Sequence, residues 1–101
     1  MSIYLQNEFD STWPLWQADG RRGRIALGAA EISGELCEWL RRWNAYFHER
    51  YSWEEGWGSA NDERTHRLEG QRLLLYLREE LGDNRVELRL WECRPFDPSV
   101  L

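Results

Sequence analysis

Apolar and polar residues alternate from Ile3 to Phe9: Ile3, Leu5 and Phe9 fall on one side, Tyr4, Gln6 and Glu8 on the other. A period of two sends successive side chains to opposite faces of a sheet, so this segment predicts a strand. The next apolar group, Trp13-Pro14-Leu15-Trp16-Gln17, is short and aromatic. Pro14 has no N–H to give a ladder, which restricts the piece to an edge strand or a loop. Asp19-Gly20 signals a turn, and Gly23 and Gly28 flank a weak apolar piece from Ile25 to Leu27.

At Ser33 the period changes. Leu36, Leu40, Trp43 and Phe47 follow at helical spacing, with Trp39 and Tyr46 beside them. The Ser33 hydroxyl suits a cap, Glu35 suits the positive helix end, and Ile32 with Cys37 suits a hydrophobic staple. Glu38 and Arg42 pair on the wet side. This helix is expected to end between His48 and Tyr51. Residues 52–61 read as loop, with two glycines and two tryptophans. A second helix starts near Ser59 to Asp62 and stops at Gly82, a residue suited to a left-handed cap. Its main face is Gly70, Leu73, Leu74, Leu77 and Leu81. Gly70 costs roughly 1 kcal/mol of helix propensity against Ala, which points to close packing against Trp39 or Trp43. Leu68 and Leu75 lie nearly opposite, and coverage by termini or loops is the expectation for them. Val86, Leu88 and Leu90 then alternate with Arg85, Glu87, Arg89 and Trp91, the clearest strand in the chain. Strands must pair to satisfy their backbones. The expectation is a single α+β domain over residues 1–101: a small antiparallel sheet with two helices on one face, in the order β-β-α-α-β.

Charge and composition narrow the function. All thirteen cations are arginine, with no lysine, beside seven tryptophans, and the net charge is −5. Nucleotide bias explains the missing lysine, but the consequence is physical: each cation is a planar fork able to stack on an aromatic ring. The acidity disfavours nucleic acid and suits a basic protein partner. Cys37 and Cys93 stand far apart without a C-x-x-C, which fits free thiols in a reducing cytoplasm. The first residues lack the cationic and apolar regions of a signal peptide, and no apolar run is long enough for a membrane span.

Candidate chemistry is sparse. His48, His66, Cys37 and Cys93 lack metal-ligand spacing, so no metal and no cofactor are expected. His66 with Glu63 or Glu69 reads as an ordinary polar pairing. Cys37 reads as a buried structural residue. Glu54 and Glu55 between Trp53 and Trp57 form the most suggestive cluster, because paired acids beside stacking rings resemble sugar-processing sites. Adjacent carboxylates usually point apart, however, and the two tryptophans read either as core plugs or as contact surface. Arg21 and Arg22 lie in a basic turn that could clamp an acidic partner or RNA, with stacking from Trp13 and Trp16.

The segments Trp13-Pro14-Leu15-Trp16, Ser33-Gly34-Glu35-Leu36-Cys37-Glu38-Trp39-Leu40-Arg41-Arg42-Trp43-Asn44, Glu69-Gly70-Gln71-Arg72-Leu73 and Leu77-Arg78-Glu79-Glu80-Leu81-Gly82 resemble a group of small uncharacterised proteins of high-GC actinobacteria. The likeness runs from about Trp13 to Arg89. It implies the same fold and a bacterial cytoplasm, and carries no activity.

Three readings follow. The first is a non-enzymatic binding module that docks on a protein partner as an inhibitor, immunity factor or regulator, using Trp53, Trp57, Glu54, Glu55, Arg21, Arg22, Trp13 and Trp16. The second is a small-molecule or carbohydrate binder with a Trp-lined cleft and weak hydrolase activity through Glu54 or Glu55. The third is a homodimer formed through a strand edge or the Leu68 and Leu75 pair.

Overall fold

Ile3 and Leu5 are buried and Tyr4 and Gln6 half-buried, so the alternation at the N-terminus does make a strand, β1 (Ile3–Gln6). The computed structural model describes residues 3–19, 23–26, 32–81 and 86–93. The further elements are β2 (Leu15–Asp19), β3 (Gly23–Ala26), α1 (Gly34–Arg50), β4 (Tyr51–Ser52), β5 (Gly56–Trp57), α2 (Ala60–Leu81) and β6 (Val86–Arg89). Four strands form one sheet in the order β3-β2-β1-β6, and β4 pairs with β5 in a separate ribbon.

One sheet face is apolar. Ile3, Leu5, Leu15 and Val86 share a core with Leu36, Leu40, Trp43, Leu73 and Leu77 of the helices. Each fully buried leucine contributes roughly 1.5–3 kcal/mol by leaving water. Both helices therefore cover the same face, as expected for an α+β two-layer domain. The outer face carries the cross-strand neighbours Tyr4, Trp16 and Glu87. There the Arg89 guanidinium lies 3.8 Å from the centre of the Tyr4 ring, the diagonal neighbour one strand away. The arginines do stack on rings: Arg41 also sits over Trp13 and Arg50 over Tyr46.

The sheet is mixed, not wholly antiparallel. β2 runs antiparallel to β1 and to β3, but β6 runs parallel to β1, with Ile3 opposite Val86 and Leu5 opposite Leu88. The reason lies in the helices. Asn44 and His48, late in α1, both reach the carbonyl of Ser11 beyond the end of β1, so α1 follows the direction of β1. α2 then returns antiparallel to α1: Trp43 bonds back to His66, Trp39 to Glu69 and Tyr46 to Asp62. The chain leaves α2 at the end where β1 begins, and β6 starts there. β2 is also an inner strand rather than an edge. Pro14 immediately precedes it and only accepts, from the Gln6 N–H at 2.8 Å, so no ladder donor is lost.

The cap at Ser33 and the start of α2 are where the spacing put them, and Gly82, the expected left-handed cap, lies outside the described residues. Ser33 Oγ accepts from the Leu36 N–H, and Ser59 Oγ accepts from the Asp62 N–H. Ile32 and Cys37 lie in one buried cluster, as a staple requires. Gly70 is a packing glycine: a Cβ there would stand 3.0 Å from Cζ2 of Trp43. Leu68 and Leu75 are not covered. They are 52% and 64% exposed, with Tyr76 beside them. Phe9 leaves the face of Ile3 and Leu5, because β1 ends at Gln6; the next inward position holds Asn7, which is fully buried and donates to Asn44 Oδ1 at 2.7 Å. Among the described residues no helix is long and apolar enough to cross a membrane.

Candidate functional site

Residues 52–61 hold more than a loop. The chain leaves α1 at Arg50 and turns back on itself through β4 and β5, with Tyr51 opposite Trp57 and Ser52 opposite Gly56. Three residues, Trp53 to Glu55, close the hairpin. Ser52 Oγ accepts from the N–H groups of both Glu54 and Glu55, at 3.2 and 3.3 Å, which folds the tip. Gly56 has φ of 75°, in the left-handed region that favours glycine, and it carries the chain into β5.

The two tryptophans of this hairpin divide the roles that the sequence left open. Trp53 stands at the tip, 79% exposed. Trp57 folds inward against Tyr46, Phe47, Tyr51 and His66. Its indole N–H donates to the backbone carbonyl of Glu92 at 2.9 Å, tying the hairpin to the turn after β6. One ring is therefore surface and the other a half-buried anchor.

Behind Trp57 lies a buried acid–imidazole pair. His66 Nε2 is 2.7 Å from Glu92 Oε2, and both side chains are 0% exposed. The Trp43 ring stacks on the imidazole at 4.5 Å and 4°. Two polar atoms of the pair, His66 Nδ1 and Glu92 Oε1, have no hydrogen-bond partner among the described residues. Buried polar atoms seldom stay unpaired, because desolvation is then uncompensated. Beside Glu92, burial first and the Glu92 charge second push the Cys93 thiol up to about 12. A thiol so placed is no nucleophile at neutral pH. Cys37 and Cys93 are both buried, and no disulfide joins them.

Two clefts open on either side of this pair. One, of about 330 Å³, lies between the hairpin and the start of α2; Tyr51, Trp57, Glu55, Glu63 and Glu92 form its walls. The other, of about 290 Å³, is lined by Trp39, Trp43, Tyr46, Arg42, His66 and Glu69. In the second, the Trp39 indole N–H already donates to Glu69 at 2.9 Å. The first is acidic and aromatic, with no basic residue among its described walls.

Of the residues expected to act together, Trp53, Glu54, Glu55 and Trp57 do share the hairpin. Glu55 reaches the acidic cleft, whereas Glu54 and Trp53 are not among its walls. Trp13 and Trp16 belong elsewhere: Trp13 packs on the core under Arg41, and the Trp16 indole N–H donates to the Gln6 carbonyl at 3.0 Å. Arg21 and Arg22 lie outside the described residues. Glu92 was missed. Its partner His66 has Glu63 and Glu69 at helical spacing, but it turns to a residue 26 positions away. The available signal was a carboxylate set between Trp91 and Cys93, a hint of burial and nothing more.

No curated protein and no solved structure matches the chain. A family match covers residues 1–89, which takes in the sheet, both helices and the hairpin. That match spans most of the chain, and the chain belongs to the family described as Serratia CdiI immunity protein-like.

Proposed function

We propose that this protein is an immunity-type binding module: it docks on a protein toxin and blocks it, without catalysis of its own. Family membership supports the class of partner. The observation that carries the docking surface is Trp53, 79% exposed at the tip of a hairpin whose base is anchored through Trp57 to the Glu92 carbonyl. An exposed tryptophan on a braced support gives large contact area with little side-chain entropy to lose, which is how interface hot spots are built. Glu54 and Glu55 follow it, both exposed, and the net charge is −5, so the complementary partner surface is basic. The all-arginine cation set fits a high-GC actinobacterial source.

The test expresses the products of the genes adjacent to this one in turn, with and without the protein, and takes as the toxin the product that arrests growth. Wild type is expected to restore growth and to co-purify with the toxin. Trp53→Ala is expected to keep its melting temperature and to weaken binding roughly 30-fold, the worth of about 2 kcal/mol at a hot spot. Wild type that neither binds nor restores growth removes the immunity reading. A Trp53→Ala variant that binds as wild type moves the docking surface off the hairpin.

A further inference from the structure

We infer that the cleft between the hairpin and the start of α2 is a socket for one arginine side chain of the partner. The inference deepens the immunity reading and rests on it for the partner being a protein. The preference of the cleft for a guanidinium rests on its walls alone.

Three acidic residues, Glu55, Glu63 and Glu92, line one cleft of about 330 Å³, with no basic residue among its described walls. Arg67 sits against Cys93 and is not one of those walls. An acidic cluster is often no more than solvated surface, but here one member is not solvated. The Glu92 side chain is 0% exposed, its Oε2 is taken by His66, and its Oε1 has no partner among the described residues. A buried carboxylate oxygen left with an open acceptor site is uncompensated until a donor arrives. Glu55 stands at the exposed end of the same cleft. A ligand that satisfies both ends must be cationic and must carry several donors on a stem long enough to reach inward. Arginine has five N–H donors in a rigid plane, whereas lysine offers a compact, strongly hydrated charge. The remaining walls favour the plane as well. Trp57 and Tyr51, both half-buried, are walls of the same cleft, and aromatic walls attract a flat cation.

The probes are N-acetyl-arginine amide, its neutral isostere N-acetyl-citrulline amide, and N-acetyl-lysine amide. Each is titrated into the full chain while the Trp57 indole N–H resonance is followed by NMR, since that group donates to the Glu92 carbonyl at the cleft wall. The arginine probe is expected to shift this resonance saturably. The lysine probe should bind more weakly and citrulline should leave it unmoved. Glu55→Gln, an exposed change, should weaken the arginine probe roughly two- to fivefold, the worth of one exposed ion pair. Glu92→Gln should weaken it further; if that variant fails to fold, Glu55→Gln carries the result. No saturable shift with arginine, an equal shift with citrulline, a lysine probe that binds as well, or a Glu55→Gln chain that binds unchanged overturns the socket. The growth assay separates the two ideas. Growth restored by wild type without probe binding leaves the immunity reading and removes the socket. Probe binding without any toxin neutralisation does the reverse.

Discussion

A Cβ built on Gly70 would lie 3.0 Å from Trp43 Cζ2 and 3.4 Å from Leu88 Cδ1, and Trp43 cannot retreat because its indole N–H holds the His66 carbonyl at 2.9 Å. Gly70→Leu is therefore expected to destabilise the fold by roughly 1–3 kcal/mol, overpacking outweighing the gain in helix propensity. The midpoint of urea unfolding measures it, and a more stable variant would show that the helices can part without loss. Cys93 makes a different kind of prediction. Burial holds its thiol protonated from the ordinary 9.0 up to about 12, and burial with the Asp62 charge raises Tyr46 in the same sense. Between pH 9 and pH 12 the folded chain thus keeps a Cys93 proton that the unfolded chain has lost, so stability is full below that window and falls as pH rises through it. No lysine titrates there to mask the effect. Unfolding midpoints from about pH 8 to about pH 11 should decline, and Cys93→Ala should flatten the slope. An unchanged slope in the variant would assign the decline elsewhere.

Elements in this protein are joined at their ends as well as along their faces. Ser33 caps α1 through Oγ, which accepts from the Leu36 N–H at 3.3 Å. Its own N–H and hydroxyl donate to the two oxygens of Glu80, at 2.7 and 2.8 Å, in the last turn of α2. A local cap thereby becomes a clasp between two helix ends. Ser33→Ala should cost about 1 kcal/mol, within the usual range for a lost cap. Glu80→Gln should cost less, and the double variant less than the sum, because both changes break the same clasp. Strict additivity in a denaturation cycle would mean that cap and carboxylate act independently. The β4–β5 hairpin is a clasp of another kind. Two strands of two residues cannot hold themselves in water; the Trp57 bond to the Glu92 carbonyl and the Gly58 N–H bond to the Arg50 carbonyl fasten it to the body of the domain.

At the scale of the whole molecule, a core of sheet and helices carries a small hairpin whose exposed tryptophan and acidic cleft face outward, and the family match covers the sheet, both helices and the hairpin but ends at residue 89, before Glu92. The sequence by itself determined what depends on near neighbours. The period of two at Ile3 to Gln6 and at Val86 to Arg89, the helical spacing from Leu36 to Phe47, the serine cap at Ser33 and the start of α2 near Ser59 all follow from residues a few positions apart. Only the tertiary structure decided the rest. The direction of β6 depends on where α2 delivers the chain, and antiparallel and parallel pairing both satisfy the same alternation. Four residues in two short strands are too few to show a period, so the hairpin was invisible, and with it the different fates of Trp53 and Trp57. The His66–Glu92 and Asn7–Asn44 pairs join residues 26 and 37 positions apart. No local pattern announces such a pair, because a buried polar group finds its partner through the packing that excludes water, and that packing exists only once the chain has folded.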